Sequence, residues 1–261
     1  MRLLFPGETL ADFLSRPGLY KRLRYRLRLA LWDVGVAGVE PEWRLLPVLV
    51  DRTRAAVDVG ANYGAYAGAL CRLATRVHCF EPIPQLAAML RVRLPPQVTV
   101  HAAAASDHAG ETTLVVPLRP DGTVASANAS IERSNPDLAN YPSLQEITCP
   151  VVRLDDVVQE PVGFIKIDVE GHEYSVLKGA ERIIRECRPV FLIESTNFMN
   201  SDSPGRVIEF LKGHGYDALF LFAGRLNPLE AFAVDKHQRL HNGRPVEPFV
   251  YNFIFLPVGA P

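Results

Sequence analysis

The chain predicts an α/β fold with a mostly parallel, doubly wound sheet and helices on both faces, and three observations carry that prediction. From residue 55 onward, short apolar runs alternate with amphipathic stretches, the pattern of repeated βαβ units. The run Val57-Asp58-Val59 breaks into Gly60-Ala61-Asn62-Tyr63-Gly64, which reads as buried strand, tight turn and helix start. Three further apolar runs end in acids, at Glu81, Asp168 and Glu194, where the strand ends of such a sheet face the ligand crevice.

The 261 residues fit one α/β domain, residues 45–261, preceded by a helical, basic extension, residues 1–44. With 48% hydrophobic and 22% charged residues the chain can bury an ordinary core. Lys plus Arg number 28 against 29 for Asp plus Glu, a balance that gives no global footprint for nucleic acid. The four cysteines, Cys71, Cys79, Cys149 and Cys187, follow no CxxC or metal spacing, so a reducing compartment and no disulfides are expected. No signal-peptide pattern opens the chain, and no apolar run approaches the roughly 18 residues that span a bilayer, which predicts a cytoplasmic protein. Oligomeric state leaves no mark on the sequence.

In chain order, the first distinctive stretch is basic. From Arg16 to Arg28, and densest at Lys21-Arg22-Leu23-Arg24-Tyr25-Arg26-Leu27-Arg28, basic and apolar residues alternate without an acid after Arg16. It reads as a solvated cationic face, or as a patch that meets anionic lipid or an acidic substrate. Residues 41–50 form a helix or connector with Pro41 near its start. Residues 55–59 are the first strand, 66–74 a helix, 76–80 a second strand, 85–93 a helix and 98–103 a third strand. An added strand covers 111–118. The polar stretch 119–147 is long for a connector and predicts a lid over an acceptor pocket, with Ser126, Asn128 and Ser130 as donors. Residues 164–168 are a buried strand, followed by a helix through Glu181 and Ile184. Another strand, 189–193, ends in Glu194, and a helix spans 206–213. Residues 216–222 and 249–256 make an antiparallel closing pair around a long excursion.

The chemistry concentrates at the strand ends. The first turn is DxGxNxG, not the GxGxxG that cradles a pyrophosphate. Asp58 would repel a diphosphate but suits a ligand carrying an ammonium and a sulfonium, which favours S-adenosylmethionine over a dinucleotide; the plain alternative is an ordinary glycine-rich turn. Glu81 lies roughly twenty residues on, where an acid accepts from both ribose hydroxyls. Ser106 and Asp107 fall where the adenine ring would lie; Asp107 accepts from its exocyclic amine or caps a turn before Gly110. In Asp168-Val169-Glu170-Gly171-His172-Glu173, Asp168 and Glu170 point the same way if the backbone is extended. Such carboxylates need cations, a metal or donors to offset their burial. With Glu194 from the neighbouring strand, Asp168 and Glu170 form an oxygen-rich set for Mg²⁺. Glu173 also fits as an acid at a helix start, and His172 as an exposed polar residue.

Taken together, the Asp58 turn, Phe80-Glu81-Pro82, and Lys166-Ile167-Asp168-Val169-Glu170-Gly171-His172-Glu173 with Lys178-Gly179-Ala180 resemble the FkbM-type family of S-adenosylmethionine-dependent methyltransferases. The likeness covers roughly residues 45 to 256. It implies a class I methyltransferase fold, Rossmann-like, with a seven-stranded sheet whose last strand is antiparallel. It also implies O-methylation of a hydroxyl on a sugar, glycolipid or secondary metabolite. By position, Asp58, Gly60, Asn62 and Gly64 would hold the methionine end, Glu81 the ribose, and Ser106 with Asp107 the adenine, with Asp168 beside the reactive methyl. Transfer to a hydroxyl needs a base, or a metal that acidifies the hydroxyl; His172 is the nearest candidate base, then Glu170 and Glu173. No Asn-Pro-Pro-Tyr-like segment follows the strand, which moves weight from nitrogen toward oxygen as acceptor. Three other readings compete. A nicotinamide oxidoreductase lacks its three-glycine fingerprint, a non-catalytic binding module has no need of clustered carboxylates, and methylation of nucleic acid rests on the Arg16 to Arg28 patch alone.

Overall fold

The computed structural model describes residues 40–199 and 203–259. The basic stretch from Arg16 to Arg28 lies outside them, and with it the cationic-face, membrane-contact and nucleic-acid readings. Contacts divide the chain after Arg44, and the unit from Leu45 onward holds the fold. A short 3-10 helix, Pro41–Leu45, runs into α1 (Leu46–Leu49). Then follow β1 (Ala55–Val59), α2 (Ala65–Leu70), β2 (Val77–Phe80), α3 (Pro84–Arg93) and β3 (Val98–His101). Next come β4 (Ala104–Ala105), β5 (Gly110–Leu118), β6 (Ser143–Val152), α4 (Leu154–Val157), β7 (Val162–Ile167), α5 (Glu173–Lys178), α6 (Glu181–Cys187) and β8 (Val190–Glu194). The rest is α7 (Gly205–Gly213), β9 (Tyr216–Phe222), β10 (Arg225–Pro228), α8 (Val234–His237), β11 (Leu240–His241), β12 (Arg244–Pro245) and β13 (Asn252–Pro257).

The central sheet runs β10-β9-β13-β8-β7-β1-β2-β3. Strands β3, β2, β1, β7 and β8 are parallel, and β13 is wedged antiparallel between β8 and β9. This is the class I methyltransferase order of seven strands with the last one reversed. An eighth strand, β10, extends the edge because Ala223 and Gly224, both at positive φ (50° and 75°), close a two-residue hairpin after β9. Every residue of β1 and β7 is buried, as expected of parallel strands covered on both faces. Val57, Ile165, Ile167, Phe191 and Ile193 pack with Val176, Leu177 and Ile184 of α5 and α6 in the main core.

Two expectations need correction. Residues 143–147, expected in a loop, belong to β6, which pairs antiparallel with β5 from Gly110↔Val151 to Leu118↔Ser143 in a separate three-stranded sheet. Most of that half of β6 is exposed, so its polar side chains imitate loop composition. The loop is therefore 119–142. The single helix expected after Gly171 is two, α5 and α6, broken at Gly179-Ala180. A Cβ at Gly179 would fall 1.9 Å from the Ser106 carbonyl oxygen, so only glycine lets the end of α5 press on the turn after β4.

Candidate active site

The site grows from two strand ends that touch. Gly60 follows β1 at φ 83°, and a Cβ there would lie 1.8 Å from the Asp168 carbonyl oxygen, so this turn fits against the end of β7 only as glycine. The Asp168 N–H donates to the Val59 carbonyl, and the N–H groups of Gly60 and Ala61 both donate to the Phe80 carbonyl, which ties β1, β2 and β7 together at their carboxyl edge. Asn62 (φ 47°) and Gly64 (φ 77°) complete the turn into α2.

Asp58 is 2% exposed, and its Oδ2 accepts from the Ala67 N–H at 2.8 Å. Burial pushes its carboxyl up to about 7, against the opposing pull of Lys166 and that amide. Glu81 accepts from the Ile83 N–H through Oε1 (2.8 Å) and the Asn62 N–H through Oε2 (2.7 Å). Burial outweighs both bonds and lifts it to about 7. Each of its oxygens keeps a second lone pair for a further donor.

On the adenine side expected from the sequence, Asp107 is already engaged, by Lys178 Nζ at 2.9 Å and His108 Nδ1 at 2.9 Å, which hold its carboxyl well below the usual range. Ser106 Oγ lies 2.9 Å from His172 Nε2, and His172 Nδ1 lies 2.6 Å from Glu132 Oε1. Both ring nitrogens of this buried histidine are therefore engaged in the ligand-free chain, where it links the 119–142 loop to the turn after β4. His172 is also not the exposed residue that the plainer reading assumed. Glu173 is buried, and its Oε1 accepts from the Gly171 N–H at 2.8 Å, closing the turn that Gly171 opens at φ 102°. Burial raises it to about 7.

Glu170 differs from both. Its backbone is left-handed (φ 55°), and its Oε2 is buried with no hydrogen-bond partner. Burial first, and then Asp168, Glu194, Glu173 and Asp137, raise its carboxyl well above the ordinary value. The hydroxyls of Ser195 and Thr196, just after β8, are likewise buried without partners. Buried polar atoms left in this way mark places where a ligand or water belongs. The expected metal set does not form. Ligand atoms of Asp168 and Glu194 come within 4.8 Å of each other, but among the described residues Glu170 does not join them. The reason is the backbone: β7 ends at Ile167, and the turn at Glu170 is not the extended chain that would aim Asp168 and Glu170 alike.

The 119–142 loop lies across these elements. Ser126 Oγ donates to Asn62 Oδ1 (2.9 Å), and Ser130 Oγ and Asn135 Nδ2 donate to the Glu170 carbonyl (2.7 and 3.2 Å). Asn128 Nδ2 donates to Asp137 (2.7 Å). Ser126 and Ser130 thus hold the loop to the strand ends, and Asn128 makes a bond within the loop. Sequence reasoning missed Glu132, Asn252 and above all Lys166. A lysine inside Phe164-Ile165-Lys166-Ile167, an otherwise apolar strand, was the available signal.

The sequence model of a family described as Methyltransferase FkbM domain matches residues 58–218. A curated relative, the 31-O-demethyl-FK506 methyltransferase FkbM of Streptomyces tacrolimicus, is 32% identical over 203 residues, covering 64% of this chain and 75% of that protein. A crystal structure of methyltransferase FkbM from Methylobacillus flagellatus KT superposes with a TM-score of 0.51 at 18% identity, over 94% of this chain. This chain spans 57% of that protein's length.

Proposed function

From the premise that this chain belongs to the FkbM methyltransferase family, we propose that it transfers a methyl group from S-adenosylmethionine to a hydroxyl of a small molecule. The observation that carries the cofactor reading is the pair of buried acids at adjacent strand ends, Asp58 and Glu81, joined through the Asn62 turn. Their chemistry fits the group: Asp58 offers a negative charge to an ammonium and sulfonium, and Glu81 offers free lone pairs to ribose hydroxyls. Asp58, Gly60, Asn62 and Gly64 take the methionine end in this reading, and Ser106 with Asp107 borders the adenine. When bound, S-adenosylmethionine supplies an electrophilic methyl group.

The protein's own task is alignment and proton removal. Glu170 is the base in this reading, because His172 and Glu173 are committed elsewhere while Glu170 Oε2 has no partner. Burial and the neighbouring acids raise its carboxyl, which makes the ionised form a stronger base for the acceptor proton at Oε2. The 119–142 loop covers the strand ends, and water is kept from the acceptor oxygen. The printed name of the Streptomyces relative refers to methylation at an oxygen, which supports oxygen as acceptor here. A sugar, a glycolipid and a polyketide-type metabolite all present such hydroxyls. Among the described residues, no helix is long and apolar enough to cross a membrane.

The test is transfer of isotope-labelled methyl from S-adenosylmethionine to panels of macrolide and glycan hydroxyls. Label recovered as a methyl ether, and lost with Glu170→Gln, is expected. Label recovered on nitrogen or carbon would overturn the O-transfer reading.

A further inference from the structure

We propose that Lys166 is the resident countercharge of the carboxyl edge, a positioning residue whose ammonium holds Asp58 and Asp168 in place for a cationic cofactor without a divalent ion. The proposal rests on the S-adenosylmethionine reading above and deepens it.

The register places Asp58 of β1 directly beside Lys166 of β7, so the two side chains leave the sheet on one face. Lys166 begins inside the strand at 1% exposure. Its Nζ nevertheless donates to Asn252 Oδ1 at 3.1 Å and stands 3.6 Å from Asp168 Oδ2. Both partners lie at the edge: Asp168 follows the end of β7, and Asn252 opens β13 opposite Glu194. The side chain therefore climbs from the strand interior and delivers its charge among the strand ends. The Tyr66 ring, from the start of α2, faces the ammonium with its centroid 5.1 Å away.

A fully buried lysine is costly to desolvate, and a leucine or methionine would fill an apolar strand without that cost. What offsets it here is the set of acids it meets. The charged groups facing Asp58 are Glu81 from β2, Asp168 after β7 and Lys166 itself, with the Ala67 amide from α2. Among them Lys166 is the cation. Carboxylates crowded in this way are what led the sequence to suggest Mg²⁺, and the chain supplies a positive charge of its own at that place.

The experiment is calorimetric titration of the whole chain with S-adenosylmethionine in EDTA, from roughly pH 6 to pH 9, where a carboxyl displaced this far titrates. Wild type is compared with Lys166→Met and Lys166→Arg, alongside urea unfolding of the cofactor-free proteins over the same range. Wild-type binding is expected to be indifferent to EDTA. In Lys166→Met the pH midpoint of binding is expected to move up by about one unit or more, about a tenfold loss at the wild-type midpoint. Lys166→Arg is expected to keep the wild-type midpoint. The pH-dependent loss of stability of cofactor-free Lys166→Met is expected to run on to higher pH. An unmoved midpoint in a folded Lys166→Met, or wild-type binding lost in EDTA and restored by Mg²⁺, would overturn the proposal. If Lys166→Met does not fold, the double variant Asp58→Asn/Lys166→Met decides: recovered folding supports the countercharge role, and continued unfolding makes Lys166 a packing residue. Wild type that binds neither S-adenosylmethionine nor S-adenosylhomocysteine refutes the cofactor reading itself; the unfolding profiles then still judge Lys166.

Discussion

Two acids with buried carboxyl oxygens are treated in opposite ways. Asp155, in α4, has one oxygen on the Arg182 N–H (2.8 Å) and the other on the Ile183 N–H (3.0 Å), with Arg153 at 3.7 Å. It caps the first turn of α6, and each of its two oxygens is met by a backbone donor. Glu170 sits in a left-handed turn with one oxygen unmet and four acids acting on it. The first has a backbone donor on each oxygen, and the second keeps a buried oxygen that none meets, the pattern expected of an acid with a chemical role under the proposed function.

Several substitutions would break or sharpen that contrast. The largest effect is expected from Gly60→Ala, since the new Cβ would occupy the Asp168 carbonyl and the backbone is already at positive φ. Loss of about 3 kcal/mol or more, read by urea unfolding, and loss of cofactor binding are expected together. Next, Asp155→Ala is expected to cost about 1–3 kcal/mol by orphaning two buried amides, with cofactor affinity of the folded fraction unchanged. Glu170→Gln is its mirror image. Thermal unfolding is expected at the same or a higher temperature than wild type, while methyl transfer falls by about 10²-fold or more. If Glu170→Gln destabilised the fold as Asp155→Ala does, the two acids would not differ in kind.

The pH dependence of stability tests the same contrast without substitution. Asp58, Glu81 and Glu173 are each raised by burial to about 7 in the folded chain, above their unfolded values near 4. A raised carboxyl means that the folded state binds more protons, so its contribution is fully present below about pH 4 and is lost as pH rises through about 7. Cofactor-free protein is therefore expected to unfold at lower urea at pH 8 than at pH 5, although Asp107, held low, adds an opposite trend only in strong acid. The smallest effect is expected from His172→Asn, which loosens the Glu132–Ser106 link. A several-fold fall in kcat/KM with an unshifted pH–rate profile is expected; a lost acidic limb would restore His172 as the base.

Residues whose place follows from a strand end could be read from the sequence. Asp58, Gly60 and Asn62 announce themselves because an acid and special-backbone residues interrupt an apolar run, and Glu81 because a second strand ends in an acid at the right spacing. The mostly parallel, doubly wound arrangement follows from the same alternation. Features that depend on contacts between distant segments could not be read. Glu132 meets His172 across forty residues of chain, and Asn252 reaches Lys166 from the far side of β8. The Glu170 backbone could not be foreseen either, because nothing local to Asp168-Val169-Glu170 distinguishes an extended chain from a left-handed turn. The first half of β6 was hidden by exposure on both faces, which removes the alternation that marks a strand.

The central claim is that the acids at the carboxyl edge form a site for a cationic nucleoside cofactor. Calorimetric titration of wild type, Asp58→Ala and Glu81→Ala with S-adenosylmethionine and S-adenosylhomocysteine tests it most directly. Saturable one-to-one binding to wild type, lost in both folded variants, is the predicted result. Equal affinity in all three proteins, or a folded wild type that binds neither compound, would contradict it.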